Sequence, residues 1–253
     1  MKNKSKHYLV VGMLLVAVIG GLAYFSNRTK DRARQQDRSP QNTLYPVDAI
    51  THGHGLAVDA QDSSKIYIAT HHGLLVLVND KELYTVGQSK DDYMGFSPNS
   101  KNAKVFFSSG HPEAGGNIGF QKSEDGGFTW KKISDGLDGP VDFHAMAVSP
   151  VNPNLVYGWY QGNLQKSTDG GKSWQKFPTN FVVVRLIADT DDENIVYAAS
   201  PQGLFMSSNK GESWQRILEG FIATLAIHPK ESQTMLVSSE NLGLAKTIDK
   251  GKT

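Results

Sequence analysis

The sequence predicts an all-β fold, a β-propeller of four-stranded blades preceded by one N-terminal transmembrane helix. Three observations lead to this prediction. An octapeptide that ends in tryptophan begins at Ser123, Ser167 and Ser207, and a shortened copy begins at Thr247. These copies start 44, 40 and 40 residues apart, which is the period of a propeller blade. Finally, residues 8–25 form an uncharged stretch of 18 residues near the N-terminus.

Residues 8–25, YLVVGMLLVAVIGGLAYF, would reach roughly 27 Å as a helix, close to the bilayer core of about 30 Å. Three lysines precede this stretch. Residues 1–25 are therefore either an uncleaved signal anchor, which the length favours, or a signal peptide cleaved near Ala23. Residues 26–43 are polar and rich in Arg, Gln, Asp and Asn, so we expect a solvated stalk there.

Composition excludes several classes of site. The chain has no cysteine, so disulfides and thiolate metal sites are excluded, and any metal must be bound by His, Asp or Glu. Residues 39–253 carry 18 basic and 23 acidic side chains. Since nucleic-acid binding needs a concentrated positive face, we expect no nucleic-acid partner.

Short segments rich in β-branched and aromatic residues predict five blade starts, near residues 53, 92, 143, 182 and 222. Blade 1 has only a degenerate copy of the octapeptide, at residues 78–81. The sequence stops inside the fourth copy, so residues 44–253 predict a propeller truncated in blade 5, with six or more blades in the native ring. The alternative is that residues 44–47 supply the missing strand.

The octapeptides SEDGGFTW, STDGGKSW and SSNKGESW resemble the Asp box, or BNR repeat. In families that carry it, the box forms the hairpin between the third and fourth strands of a blade. An aspartate can accept backbone N–H groups across such a turn, glycine permits a positive φ, and tryptophan packs where the next strand begins. The box positions are therefore predicted to be structural: Asp125, Asp169, Asn209 and Asp249.

The resemblance extends beyond the box. Segments such as ATHHGL, SSGHP and DFHAMAVSP make residues 52–253 similar to bacterial membrane-anchored Asp-box propellers, which are often labelled glycosyl hydrolases. These propellers are in turn similar to sortilin-like and photosystem II assembly-factor-like propellers. The resemblance implies a propeller outside the cytoplasm, attached to the cell membrane through residues 8–25. It implies much less about chemistry.

Six of the eight histidines are expected on one face of the propeller, whereas His228 is expected on the opposite face. Aligning the first strands, with Val58 matched to Phe96, makes His54, Asp92 and His144 equivalent, and aligning the second strands makes His72 equivalent to His111. The predicted ligand-binding residues are His52, His54, His71, His72, Asp92, His111, Asp142, His144 and Tyr160. The candidate ligands for a divalent metal such as zinc are His54, Asp92, His144, His72 and His111. The leading interpretation of these side chains is a metal-free polar binding pocket, and a metal site and simple packing are the alternatives.

The leading functional prediction is a binding or assembly module for a glycan, peptide or protein, because the chain lacks nucleophile, phosphate-loop and HExxH motifs. The sequence does not decide whether the protein is an enzyme. The alternative is a glycoside hydrolase that uses a pair among Asp92, Asp142 and Glu113. Sialidases of this fold hold the substrate carboxylate with three arginines, and residues 39–253 contain only Arg185 and Arg216, so sialidase activity is not expected.

Overall fold

A computed structural model describes residues 42–252, which contain twenty β-strands in five antiparallel sheets. Within this range, no helix is both long and apolar enough to span a membrane. The predicted membrane segment, residues 8–25, and residues 26–41 of the predicted stalk lie outside the described residues.

Each sheet is one blade, numbered in chain order. Blade 1 contains β1 (Leu44–Pro46), β2 (Gly53–Val58), β3 (Lys65–Thr70), β4 (Gly73–Val78) and β5 (Glu82–Val86). Blade 2 contains β6 (Asp92–Pro98), β7 (Phe106–His111), β8 (Phe120–Ser123) and β9 (Lys131–Ser134). Blade 3 contains β10 (Ala145–Val148), β11 (Val156–Tyr160), β12 (Asn163–Ser167) and β13 (Gln175–Pro178). Blade 4 contains β14 (Arg185–Ala188), β15 (Val196–Ser200), β16 (Gly203–Ser207) and β17 (Gln215–Glu219). Blade 5 contains β18 (Ile222–Ile227), β19 (Met235–Ser239) and β20 (Gly243–Thr247).

The predicted all-β propeller is confirmed, with five blades in the described residues. Three blades have four strands, whereas blade 5 has three and blade 1 has five. The extra strand of blade 1 is β1, which pairs with β5 so that Leu44 lies opposite Val86. Residues 44–47 therefore do not complete blade 5, and that alternative was wrong. A ring of six or more blades stays a prediction.

Four apolar clusters lie at the four interfaces between consecutive blades. At the interface of blades 2 and 3, for example, the buried Phe120 ring packs edge-on against Trp174 at a centroid distance of 5.3 Å. The clusters form because alternate strand residues point into each interface and are apolar. Leu244, in the last strand of blade 5, is 76% exposed, and Leu56, in the innermost strand of blade 1, is 66% exposed and lines a cleft with Arg185 and Thr224.

The octapeptides form the hairpins between the third and fourth strands of blades 2, 3 and 4. In blade 3, Ser167 Oγ accepts a hydrogen bond from Gly171 N at 2.8 Å and donates one to Asp169 Oδ1 at 2.8 Å. Asp169 also accepts from the hydroxyl of Ser173 at 2.6 Å and from its N–H at 2.9 Å. These hydrogen bonds, the one from the Ser173 hydroxyl first, lower the pKa of Asp169.

The other box positions make the same kind of turn. Asp125 accepts from Thr129 in blade 2, Asn209 accepts from the Ser213 N–H in blade 4, and Asp249 accepts from the Thr247 hydroxyl in blade 5. An asparagine therefore replaces the carboxylate in blade 4 without loss of the hairpin.

Candidate functional site

A β-bulge positions His54 in the first strand pair. Gly53 pairs with Thr70 and Gly55 pairs with Ala69, so His54 is the extra residue between them. Bulges of this kind redirect one side chain and are common beside functional sites. Gly55 permits the close packing beneath the bulge, because a Cβ at that position would lie 3.0 Å from Phe96 Cβ.

Blade 2 has a bulge at the corresponding place, where Met94 is the extra residue between Tyr93 and Gly95. The two ladders therefore match Leu56 with Phe96, not Val58 with Phe96. The predicted alignment was wrong by two residues in this strand.

The corrected register gives three sets of equivalent positions in blades 1, 2 and 3. The first set contains His52, Asp92 and Asp142; the second contains His54, Met94 and His144; the third contains His71, His111 and Gln161. His71, not His72, is thus the counterpart of His111. Seven of these residues lie at one end of blades 1, 2 and 3, five where the inner strands β2, β6 and β10 begin and two, His71 and His111, where the second strands β3 and β7 end. We call these seven residues the mouth: His52, His54, His71, Asp92, His111, Asp142 and His144.

The first cluster of the mouth comprises His52, His54, His71 and Asp92. One ring nitrogen from each histidine lies within 4.8 Å of the others, and the ring centroids are 4.3–4.8 Å apart. Asp92 Oδ2 lies 2.5 Å from His71 Nδ1, and Asp92 Oδ1 lies 3.4 Å from His54 Nε2. A hydrogen bond from His71 Nδ1–H to the carboxylate leaves His71 Nε2 with its lone pair available.

Two buried polar atoms of the first cluster have no hydrogen-bond partner, His54 Nε2 and Asp92 Oδ1. Their 3.4 Å separation is an ion-pair distance without hydrogen-bond geometry. Burial lowers the pKa of His54, the neighbouring histidines lower it further, and Asp92 opposes them. His54 is therefore a neutral imidazole at pH 7, which is the form that binds metals.

The second cluster comprises His111, Asp142 and His144, whose ligand atoms also lie within 4.8 Å of one another. Asp142 Oδ2 is 2.6 Å from His144 Nε2 and 3.0 Å from His111 Nε2. The hydrogen bond to Asp142 is the main cause of a raised pKa at His144, and Asp92 also raises it. The two clusters are therefore close enough to interact electrostatically.

The same histidine–carboxylate pair occurs at two blade interfaces. His71 of blade 1 contacts Asp92 of blade 2, and His111 of blade 2 contacts Asp142 of blade 3. At the interface of blades 3 and 4, Gln161 occupies the position of the histidine and Val182 that of the carboxylate, so the pair does not recur there.

Three predicted site residues lie apart from both clusters: His72, Glu113 and Tyr160. His72 is exposed and lines a groove with Glu113, whose N–H donates to Asp91 Oδ1 at 3.1 Å. The Tyr160 hydroxyl accepts a hydrogen bond from Asn117 Nδ2 at 3.1 Å. Within residues 42–252, none of the three makes a hydrogen bond or ion pair to a residue of the mouth. As expected from the sequence, His228 follows the far end of an inner strand, β18.

Arg185 belongs to the surroundings of the mouth, and sequence reasoning missed this role. It begins β14, and its Nη1 donates a hydrogen bond to the backbone oxygen of His54 at 3.2 Å, which links blade 4 to blade 1. Burial lowers the pKa of the Arg185 guanidinium. His54, Arg185 and Ala223 line a cleft of about 510 Å³. The sequence did contain a signal for this role: Arg185 is one of only two arginines after residue 38, and it stands at the start of a predicted inner strand.

Comparisons with known proteins give a fold but no family. No family model matches the chain, and no curated protein matches it. Neither membership of the Asp-box family nor the similarity to sortilin-like propellers is therefore confirmed.

Solved structures of GH74 enzymes resemble the chain. An ancestral GH74 enzyme aligns with a TM-score of 0.57 and 19% identity, over 78% of this chain and 28% of that one. The GH74 enzyme of Niastella koreensis aligns with a TM-score of 0.57 and 16% identity, over 79% and 37%. The GH74 xyloglucanase of Xanthomonas campestris aligns with a TM-score of 0.52 and 15% identity, over 83% and 46%. At these identities the likeness shows the fold alone. The chain also spans less than half of each of these three proteins.

Proposed function

We propose that this chain is a ligand-binding β-propeller whose first cluster holds a divalent transition-metal ion, zinc being the ion that best suits the ligands. The ligands are imidazole nitrogens of His52, His54 and His71, with Asp92 beside them. Three histidines and one open position are typical of catalytic zinc sites, and imidazole also suits copper and nickel.

The observation that carries this proposal is the pair of buried, unpartnered atoms His54 Nε2 and Asp92 Oδ1. A buried polar atom without a partner is costly, and a cation placed between an imidazole lone pair and a carboxylate oxygen would satisfy both. The contact between His71 Nδ1 and Asp92 Oδ2 supports the same proposal, because metal-bound histidines usually donate their second N–H to a carboxylate.

Binding requires only small side-chain movements. Two ligand atoms on one tetrahedral zinc ion lie about 3.3 Å apart, given zinc–nitrogen distances near 2.0–2.1 Å. The ring nitrogens of the first cluster lie within 4.8 Å, so rotations that move each ring by about 1 Å would bring them into coordination distance. His52 is exposed and is free to make such a rotation.

Zinc titration of the untagged full chain in detergent, after removal of metal by a chelator, tests the proposal. The variant His54→Ala/His71→Ala is expected to lose one bound equivalent, with at least a 100-fold lower affinity at that site. His228→Ala is the matched control, because it removes a histidine at the far end of an inner strand, and wild-type binding is expected. Unchanged stoichiometry and affinity in the double variant would refute the proposal.

Glycosidic-bond hydrolysis is the second candidate function, and the fold comparisons favour it over the assembly role predicted from the sequence. All three described neighbours are GH74 enzymes, one of them a xyloglucanase. Asp92 and Asp142 would be the two carboxyl groups, since both lie in the mouth and are largely buried. The adjoining cleft of about 510 Å³ has the size of a ligand pocket.

Reducing-sugar release from xyloglucan and from other cell-wall polysaccharides tests hydrolysis. Asp92→Asn and Asp142→Asn should each lower turnover at least 100-fold, whereas Asp125→Asn, in an outer hairpin, should not change it. If none of the polysaccharides is cleaved, or if both mouth variants keep wild-type turnover, the hydrolase candidate is rejected.

The cellular location is part of the proposal. We place the propeller on the outer side of the cell membrane, attached through residues 8–25, with a glycan, peptide or protein as the organic ligand. Protease treatment of intact cells lacking a wall should degrade the propeller in this orientation. Protection until the cells are lysed would place it in the cytoplasm.

A further inference from the structure

We infer that the second cluster, His111, Asp142 and His144, is a separate site for a divalent first-row metal ion, with two imidazole nitrogens and one carboxylate as ligands. This inference extends the proposed function to a second centre and rests on it for the assignment of the mouth as a metal-binding region. Two histidines and one carboxylate form a known ligand set for zinc and for iron(II), and this set leaves coordination positions open.

The hydrogen bond of His111 to the backbone fixes which ring nitrogen is available. His111 Nδ1 lies 2.7 Å from the carbonyl oxygen of Gly116, and a carbonyl oxygen can only accept, so Nδ1 carries the proton. In the neutral ring, Nε2 then presents a lone pair, yet it faces Asp142 Oδ2, another acceptor, at 3.0 Å. Two acceptor atoms at this distance require a cation between them, either a second proton or a metal ion.

Asp142 is the second observation that indicates a ligand. Its side chain is 8% exposed, its Oδ2 faces the Nε2 atoms of both His111 and His144, and its Oδ1 is buried without a hydrogen-bond partner. A carboxylate buried in this position with one oxygen unpartnered is costly. A metal ion bound by the two Nε2 atoms and either Asp142 oxygen would compensate the charge and use the unpartnered atom.

The repeat of the blades explains why two sites occur. His71 and Asp92 occupy the same positions across the first interface as His111 and Asp142 do across the second, although His71 faces its carboxylate with Nδ1 and His111 with Nε2. The additional ligands differ, because His52 and His54 come from the blade before the carboxylate, whereas His144 comes from the same blade as Asp142. The two ions would therefore have different ligand sets, with three imidazoles at one site and two imidazoles with a carboxylate at the other.

Zinc stoichiometry in three forms of the full chain tests the second site. The wild type is expected to bind two equivalents, His111→Ala/His144→Ala one, and His54→Ala/His71→Ala one. His111 and His144 have side chains 38% and 59% exposed, so their replacement should leave the fold intact, which circular-dichroism melting of the metal-free forms would verify. Cobalt(II) in place of zinc adds a second readout, because each double variant should lose a different part of the visible absorption spectrum.

The outcomes separate the two proposals. If His111→Ala/His144→Ala binds as much zinc as the wild type, the second site is refuted. If the wild type binds one equivalent that only His54→Ala/His71→Ala abolishes, the second site is likewise refuted and the proposed function stands. If the wild type binds one equivalent that only His111→Ala/His144→Ala abolishes, the second site stands and the first-cluster assignment fails.

Discussion

Replacing Asp92 by asparagine should weaken metal binding at the first cluster while leaving the fold in place. Asn keeps the size of the side chain but removes the negative charge that lies 2.5 Å from His71 Nδ1 and 3.4 Å from His54 Nε2. Loss of a carboxylate that supports a metal-bound histidine typically costs 10–100-fold in affinity, or about 1.4–2.7 kcal/mol. Because Asp92 contacts two histidines and is 16% exposed, we expect the upper half of that range, about 30–100-fold.

The assay is a competition titration of zinc against a chromophoric chelator at about pH 8, where protons compete little for imidazole, whose ordinary pKa is about 6.5. Asp91→Asn is the matched control. It removes the same charge at the adjacent position, but the Asp91 carboxylate accepts the Glu113 N–H and, among the residues that the structure describes, makes no hydrogen bond or ion pair with a histidine of the mouth. A change below about threefold is expected for the control, since long-range electrostatics in salt are weak. Equal losses in the two variants, or wild-type affinity in Asp92→Asn, would refute the role of Asp92.

Three further predictions concern the scaffold. Asp169 stabilises the folded state fully above its unfolded pKa of 3.8, and this contribution is lost as the pH falls through the lower folded pKa. In acid denaturation, Asp169→Asn should therefore be less stable than the wild type at pH 7, and the gap should narrow steadily as the pH falls below 3.8. A gap independent of pH would contradict this. Gly171→Ala should lower the free energy of unfolding in urea by more than about 3 kcal/mol, because the added Cβ would lie 2.1 Å from the Phe120 ring of the neighbouring blade. Gly170→Ala, also at positive φ but with no atom nearer than 3.4 Å, should cost about 1 kcal/mol. Equal costs in the two variants would exclude the steric explanation. Lys250→Met should lower the free energy of unfolding in the same assay by about 3 kcal/mol, because it leaves the fully buried Asp189 carboxylate without its 2.8 Å ion pair. A loss below about 1 kcal/mol would show that the ion pair contributes little to stability.

The sequence predicted the scaffold well because local chemistry determines it. The spacing of Ser123, Ser167 and Ser207 gave the blade period, and each serine donates a hydrogen bond to the aspartate or asparagine two residues later, a contact that lies within the octapeptide itself. The strand β1 was not predictable in the same way. Residues 44–47 could pair either with β5 at the edge of blade 1 or with the last strand of blade 5, and nothing in these four residues distinguishes the two edges.

The site was predicted in composition but not in register. The error in the first strand was a shift of two residues, and because apolar and polar positions alternate along a strand, a shift of two leaves the pattern unchanged. An error of one residue in the second strand exchanged His71 for His72, and these side chains point in different directions because successive residues alternate. The contact of Arg185 with His54 joins residues 131 positions apart, and such a contact follows only from the closing of the blades around the mouth.

Each histidine–carboxylate pair of the mouth joins two neighbouring repeats, His71 with Asp92 and His111 with Asp142. An ion bound at either pair would add a crosslink between neighbouring blades, which already contact each other through apolar packing and hydrogen bonds. In a modular protein, unfolding cooperativity depends on such couplings between neighbours. Metal binding would then make the first three blades unfold as one cooperative unit. The residues that bind the ligand would thereby also couple the stability of neighbouring blades to ligand binding.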